Sequence, residues 1–197
     1  MSTVLGLNDP QVSELLLQGK VGVIPTDTIY GFVALAHNKQ AVARLYALKN
    51  REHKPGTVIA ADTEQLVRLG VDKNALEAAR QWWPNPLSIV IDASDDASYL
   101  HQEVGSLAVR IPSDTALLHL LQQAGPLLTS SANHAGEQPA STLDEAREYF
   151  GGQVDFYVDG GDRSGRPPST VARYQDGTFT VLRQGAVRID GAEKEHL

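Results

Sequence analysis

No cysteine occurs among the 197 residues. Disulfides, iron–sulfur clusters and thiolate-bound zinc are thereby excluded. The six histidines form no HExxH pair, which removes the helical zinc-hydrolase arrangement. A GxxxxGK[ST] phosphate loop is missing and Gly160-Gly161 lies outside any GxGxxG pattern, so neither common nucleotide-binding fingerprint is present. No stretch approaches about eighteen uninterrupted apolar residues. Met1-Ser2-Thr3-Val4-Leu5-Gly6 carries neither a basic region nor a long apolar segment, so a cytoplasmic protein without membrane attachment is expected. Positive charge is scarce: 17 Lys and Arg stand against 24 Asp and Glu, a formal charge of −7. That balance opposes broad, non-specific attraction to nucleic acid and leaves room for a local basic pocket.

What is present fits one folded domain. Hydrophobic residues make up 42% and charged residues 21%, an ordinary globular balance, and the chain is long enough to bury a core without staples. Asp9-Pro10 predicts a capped first helix, with Val12, Leu15 and Leu16 on one face until Gly19. Val21-Gly22-Val23-Ile24 reads as a buried strand ending at Pro25. Asn38 caps a second helix through Ala41, Val42, Leu45 and Leu48, which puts Lys49 and Arg51 at its C-terminal end. Thr57–Ala61 reads as a strand. Asp62 and Asn74 are candidate caps of two helices that stop before Pro84-Asn85-Pro86. Further strands are expected at Leu87–Asp92, Ser106–Ile111, Leu127–Thr129, Val154–Val158, Ser169–Tyr174 and Phe179–Arg183. Helices are expected after Ser113 and Thr142. Asp176-Gly177 is a hairpin signal and so implies antiparallel pairing within an otherwise alternating pattern. The expected fold is a single α/β domain with a mixed parallel and antiparallel sheet flanked by helices.

Two polar clusters carry the chemistry. Lys49-Asn50-Arg51 offers two cations at a helix end, and Ser131-Ala132-Asn133 offers a hydroxyl and an amide after an apolar run. Such groups suit a phosphorylated ligand and charge developing at phosphorus. Each also has a plain structural reading, as helix-end cations and as a strand terminus. Arg110 sits within the strand pattern Leu107–Ile111, where a charge requires either an internal ion pair or a ligand. Pro25-Thr26-Asp27-Thr28-Ile29-Tyr30-Gly31 places three side-chain oxygens in a row after a buried strand. They could meet a ligand at the sheet edge or simply bond nearby backbone.

Taken in order, Pro25–Gly31, Lys49-x-Arg51, Pro84-Asn85-Pro86-Leu87, Ala108-Val109-Arg110-Ile111-Pro112, Ser131-Ala132-Asn133-x-x-Gly136, Ser169-Thr170-Val171 and Leu182-Arg183-x-Gly185 resemble the YrdC/TsaC family of threonylcarbamoyl-AMP synthases. Each motif is weak by itself, and seven in the right order make a specific signal. The resemblance covers residues 8–187 and leaves 188–197 as a C-terminal tail. It implies a twisted mixed sheet around a deep basic cleft. It also implies the conversion of L-threonine, bicarbonate and ATP to L-threonylcarbamoyladenylate and pyrophosphate, with Mg2+ carried by the ATP phosphates. Transfer proteins of the TsaB, TsaD and TsaE type would then modify the adenosine beside the tRNA anticodon.

By the same resemblance, Thr28, Lys49, Arg110 and Thr129 surround the threonine and carbamoyl end. Arg51, Ser106, Ser131, Asn133, Ser169 and Arg183 face the nucleotide, with Lys54 a further neighbour. Lys49 and Arg51 are the expected catalytic pair, and losing either is expected to abolish turnover with the fold intact. The family's Pro-Gly-Pro, Ser-Gly and Glu are replaced here by Pro84-Asn85-Pro86, Ala135-Gly136 and Pro168. Two competing readings are a non-catalytic double-stranded RNA-binding or ribosome-maturation factor, and the carbamoyl-adenylate domain of hydrogenase-maturation proteins. The second is opposed by the missing cysteines and the short chain.

Overall fold

The computed structural model describes residues 3–50 and 53–189, together with the backbone of 193–194. Among the described residues the strands are β1 (Thr3–Gly6), β2 (Gly22–Pro25), β3 (Tyr30–Leu35), β4 (Thr57–Ile59), β5 (Leu87–Asp92), β6 (Ser106–Arg110), β7 (Leu127–Ser131), β8 (Phe156–Asp159), β9 (Thr170–Gln175), β10 (Thr178–Arg183) and β11 (Glu193–Lys194). They form a single sheet in the order β1-β8-β2-β3-β7-β4-β6-β5-β9-β10-β11. Parallel pairs such as β4–β6 and β5–β9 occur beside antiparallel pairs such as β3–β7 and β5–β6, so the sheet is mixed as expected.

The helices are α1 (Pro10–Leu17), α2 (Lys39–Lys49), α3 (Thr63–Arg68), α4 (Lys73–Ala79), α5 (Ser98–His101), α6 (Thr115–Ala124) and α7 (Leu143–Phe150). Caps fix most of their starts. The side chains of Asp9, Asn38, Asp62 and Thr142 accept backbone N–H groups of the first turn, which satisfies donors that have no partner inside the helix. One start differs from the sequence reading. The cap of α4 is Asp72, which accepts from Ala75 N, and Asn74 lies inside the helix. The cap of α6 is Asp114.

Successive strand residues point to opposite faces. One face, with Phe32, Val58, Val109, Leu128 and Tyr157, is covered by α2, α3, α4, α5 and α7. The other, with Ile24, Val33, Ile59, Leu127 and Val158, is covered among the described residues by α1 and α6. β3 is not anticipated by the sequence reading because it is buried almost throughout. It therefore lacks the polar alternation that marks a half-exposed strand. β1 is an edge strand held by parallel pairing to β8, a long-range contact without a local signal. The Asp176-Gly177 turn joins β9 to β10 as expected, with both residues at positive φ, the backbone that a two-residue hairpin turn requires.

Candidate active site

On the sparsely covered face the strands change character within two residues. Val33 gives way to Gly31, Ile59 to Thr57, and Leu127 to Thr129 and then Ser131, all on the same side of the sheet by the two-residue period. The register carries this strip sideways: Thr129 pairs with Thr57, Thr57 with Ala108, and Ala108 with Val90. Small and hydroxylated side chains thus replace the apolar ones that α1 and α6 cover. The result is an open floor beneath a cavity of about 420 Å³, walled by Thr26, Thr28, Tyr30, Pro55, Pro139 and Pro168. A Cβ at Gly31 would lie 2.6 Å from Thr129 Oγ1, so the residue with no side chain permits the close approach of β3 to β7 there.

Among the described residues two arginines reach this cavity. Arg110 ends β6 and is buried, and Arg183 ends β10. Arg110 Nη2 lies 3.0 Å from Asp27 Oδ1, with side-chain exposures of 5% and 2%. The pair is therefore nearly sealed from water. Arg110 Nη1 donates to Ser88 Oγ at 3.3 Å, Ser88 Oγ is 3.1 Å from Ser169 Oγ, and Arg183 Nη2 donates to Ser169 O at 2.9 Å. Burial pulls the Arg110 pKa down; Asp27 opposes that shift and the nearby charge of Arg183 adds to it. Burial likewise lowers that of Arg183. Both remain guanidinium cations near neutrality.

The loop at 26–29 turns β2 into β3. Thr26 N and Thr26 Oγ1 both donate to Ile29 O, and Thr28 N donates to Thr26 Oγ1. The threonines therefore shape the turn themselves, whereas Asp27 turns inward to Arg110. Tyr30 OH donates to Gly161 O at 2.9 Å and accepts from Gly160 N at 2.8 Å. Arg163 Nη1 donates to Thr26 O at 3.2 Å. These contacts tie the 160–168 segment to the cavity wall.

Lys49 is buried at the end of α2 and points at the other cluster. Its Nζ donates to Ser131 O at 2.8 Å and Asn133 Oδ1 at 3.0 Å, and also to Asn133 O. Ser131 Oγ donates to Asn133 Oδ1 at 2.6 Å, while Asn133 Nδ2 donates to His134 O and Glu137 O. The two polar clusters of the sequence therefore meet, across 82 residues of chain.

Of the residues expected at the site, Thr28, Arg110, Thr129, Ser131, Ser169 and Arg183 line the cavity. Lys49 and Asn133 stand behind its Ser131 wall. Ser106 shares the face of Ala108 and Arg110 and lies outside the lining. Arg51 falls outside the described residues. Thr26, Thr57, Ser88 and Asp27 are added by the structure. Thr26 and Asp27 carried a signal, in the run of side-chain oxygens after a buried strand. Thr57 and Ser88 carried none, since each reads as an ordinary strand residue.

A sequence model grouping Sua5, YciO and YrdC, described as Telomere recombination, matches residues 14–185. This chain belongs to that family. A Mycobacterium leprae protein provisionally named threonylcarbamoyl-AMP synthase is 33% identical over 176 residues, covering 87% of this chain and 80% of its own. Among solved structures, E. coli YciO superposes with a TM-score of 0.82 at 25% identity, over 96% of this chain and 98% of that one. Sua5 of P. abyssi, solved with L-threonine, superposes with a TM-score of 0.85 at 24% identity. The match takes in 98% of this chain and only 62% of that Sua5, so this chain spans under two thirds of the longer protein. The family assignment and the mixed α/β sheet agree with the reading made from the seven ordered motifs.

Proposed function

We propose that this chain is a threonylcarbamoyl-AMP synthase, which combines L-threonine, bicarbonate and ATP into L-threonylcarbamoyladenylate with release of pyrophosphate. The observation that carries this reading is the cavity floor, where Arg110 and Arg183 arrive from different strands among the hydroxyls of Thr28, Thr129, Ser131 and Ser169. The relatives named for the same activity add support.

The threonine amine first condenses with bicarbonate, losing water and leaving a carbamate. A carbamate oxygen then attacks the α-phosphorus of ATP. The new O–P bond forms as the bond to the bridging oxygen breaks, and pyrophosphate leaves with that electron pair. No covalent enzyme intermediate is required, so the chain's task is orientation and charge stabilisation. Arg110, Thr28 and Thr129 hold the threonine and carbamoyl end. Ser131, Ser169 and Arg183 hold the nucleotide, joined by Asn133, Ser106 and Arg51. Lys49 belongs to the carbamoyl end and also fixes the Ser131–Asn133 wall on the nucleotide side.

Mg2+ enters as part of the nucleotide substrate. No group of three or more histidine, aspartate or glutamate ligands occurs among the described residues, and phosphate oxygens are the usual seat of this ion. Among the described residues no helix is long and apolar enough to cross a membrane. The synthase reading itself implies work in the cytoplasm beside tRNA and transfer proteins of the TsaB, TsaD and TsaE type.

The test is incubation of the protein with ATP, Mg2+, bicarbonate and L-threonine, following pyrophosphate and the adenylate by mass spectrometry. Product requiring all three substrates is expected. Nucleotide binding without product, together with steeply salt-dependent RNA affinity, would replace the synthase by an RNA-binding factor.

A further inference from the structure

Asp27 is the one carboxylate in contact with the cavity's guanidinium groups among the described residues, and its situation is unusual. Neither of its side-chain oxygens accepts a hydrogen bond that meets normal geometry, and Arg110 Nε likewise has no acceptor. A buried carboxylate in that state is costly unless a cation stands beside it. Among the described residues its ion-pair partner is Arg110, at 3.0 Å. Asp27 is also flanked by Thr26 and Thr28, both of which face the cavity. Its own side chain is turned away from that cavity, against the arginine.

Arg110 has a second electrostatic neighbour. The charge of Arg183 acts on it unfavourably while that of Asp27 acts favourably, and the two arginines are linked through Ser88 and Ser169. Two guanidinium groups on one partly desolvated floor repel. A flexible arginine relieves that repulsion, together with its own burial, by swinging out into the open cavity. A fixed anion on the protein side removes the incentive. It also leaves the cavity-facing donors of the fork free for a ligand carboxylate or phosphate.

We infer that Asp27 is a positioning residue that acts as the internal counter-ion of Arg110, holding its guanidinium on the cavity floor beside Arg183 so that both can engage an anionic substrate. This rests on the proposed synthase reaction for the identity of the anion, the carboxylate or carbamate end of L-threonine. The counter-ion geometry itself does not depend on that reading.

The experiment compares the wild-type chain with Asp27→Asn, which keeps the shape and removes the charge, and Asp27→Glu, which keeps the charge. Steady-state kinetics are measured together with 15N NMR of the arginine side chains, where a held guanidinium shows slowed rotation and resolved Nη signals. Asp27→Asn is expected to raise KM for L-threonine by at least about tenfold while kcat changes by less than about threefold. It should also collapse the Arg110 Nη signals into one averaged signal. Asp27→Glu should restore slow rotation and most of the KM.

An Asp27→Asn enzyme with unchanged KM, or a wild-type Arg110 whose guanidinium already rotates freely, overturns the inference. If Asp27→Asn does not fold, the wild-type and Asp27→Glu spectra decide it. If wild type forms no adenylate but shows the held Arg110 signal lost in Asp27→Asn, the synthase reading fails and the counter-ion role stands.

Discussion

Lys49 shows how a residue can belong to a site without lining it. Its ammonium gives three hydrogen bonds to the Ser131–Asn133 segment, and charge-assisted bonds of this kind hold backbone firmly. Lys49→Met is therefore expected to lower stability by about 1–3 kcal/mol, as when a buried hydrogen-bonding group is deleted, in addition to lowering activity. A urea titration checks this: a midpoint equal to wild type would return Lys49 to a role confined to substrate, with the fold intact. At this scale the sequence singled out Thr28, Arg110, Thr129, Ser131, Ser169 and Arg183, all of which line one cavity. It could not tell an Arg110 that meets a ligand from one that meets a protein carboxylate, because both look like a charge inside a strand. The structure shows an ion pair with Asp27 and a place in the cavity lining at once.

Between elements, the contacts that place the floor are backbone contacts. A Cβ at Gly185 would lie 2.3 Å from Pro168 O and 2.6 Å from Ser169 C and O, all main-chain atoms that cannot rotate aside. Gly185→Ala is expected to push β10 away from the Pro168–Ser169 wall, costing about 1–3 kcal/mol by overpacking and weakening nucleotide affinity. Calorimetric binding of ATP and a thermal melt would both register it, and unchanged values in both would place the contact outside the site. Asp155, just before β8, accepts from Val21 N at 2.8 Å and pairs with Arg44 of α2. Burial pushes its carboxyl up, and the hydrogen bonds from Arg44 and Val21 outweigh this and hold it below its usual 3.8. Its stabilisation is therefore present above pH 3.8 and lost as the pH falls through the lowered value. Asp155→Asn should lower the urea midpoint near about pH 7 and converge on wild type as the pH falls through the lowered value; a constant difference as the pH falls would show that the charge is irrelevant.

Across the whole molecule, one sheet runs through both apolar clusters, from β1 at one edge to the β9–β10 end with Trp82 and Phe179 packed edge to face at 5.9 Å. Unfolding should therefore be a single cooperative transition, with tryptophan fluorescence and far-ultraviolet circular dichroism coinciding in urea. Separate midpoints would show that the β9–β10 end melts alone. The sequence by itself determined most helices and strands, most of the named caps, the hairpin at Asp176-Gly177 and the ordered motifs of the family, because those signals are local in spacing and composition. The tertiary structure alone decided that Lys49 meets Ser131 and Asn133, that Asp27 faces Arg110, and that Thr57 and Ser88 share the cavity's side of the sheet. Those facts follow from strand order and register, which depend on pairings between residues far apart in the chain and leave no periodic trace along it.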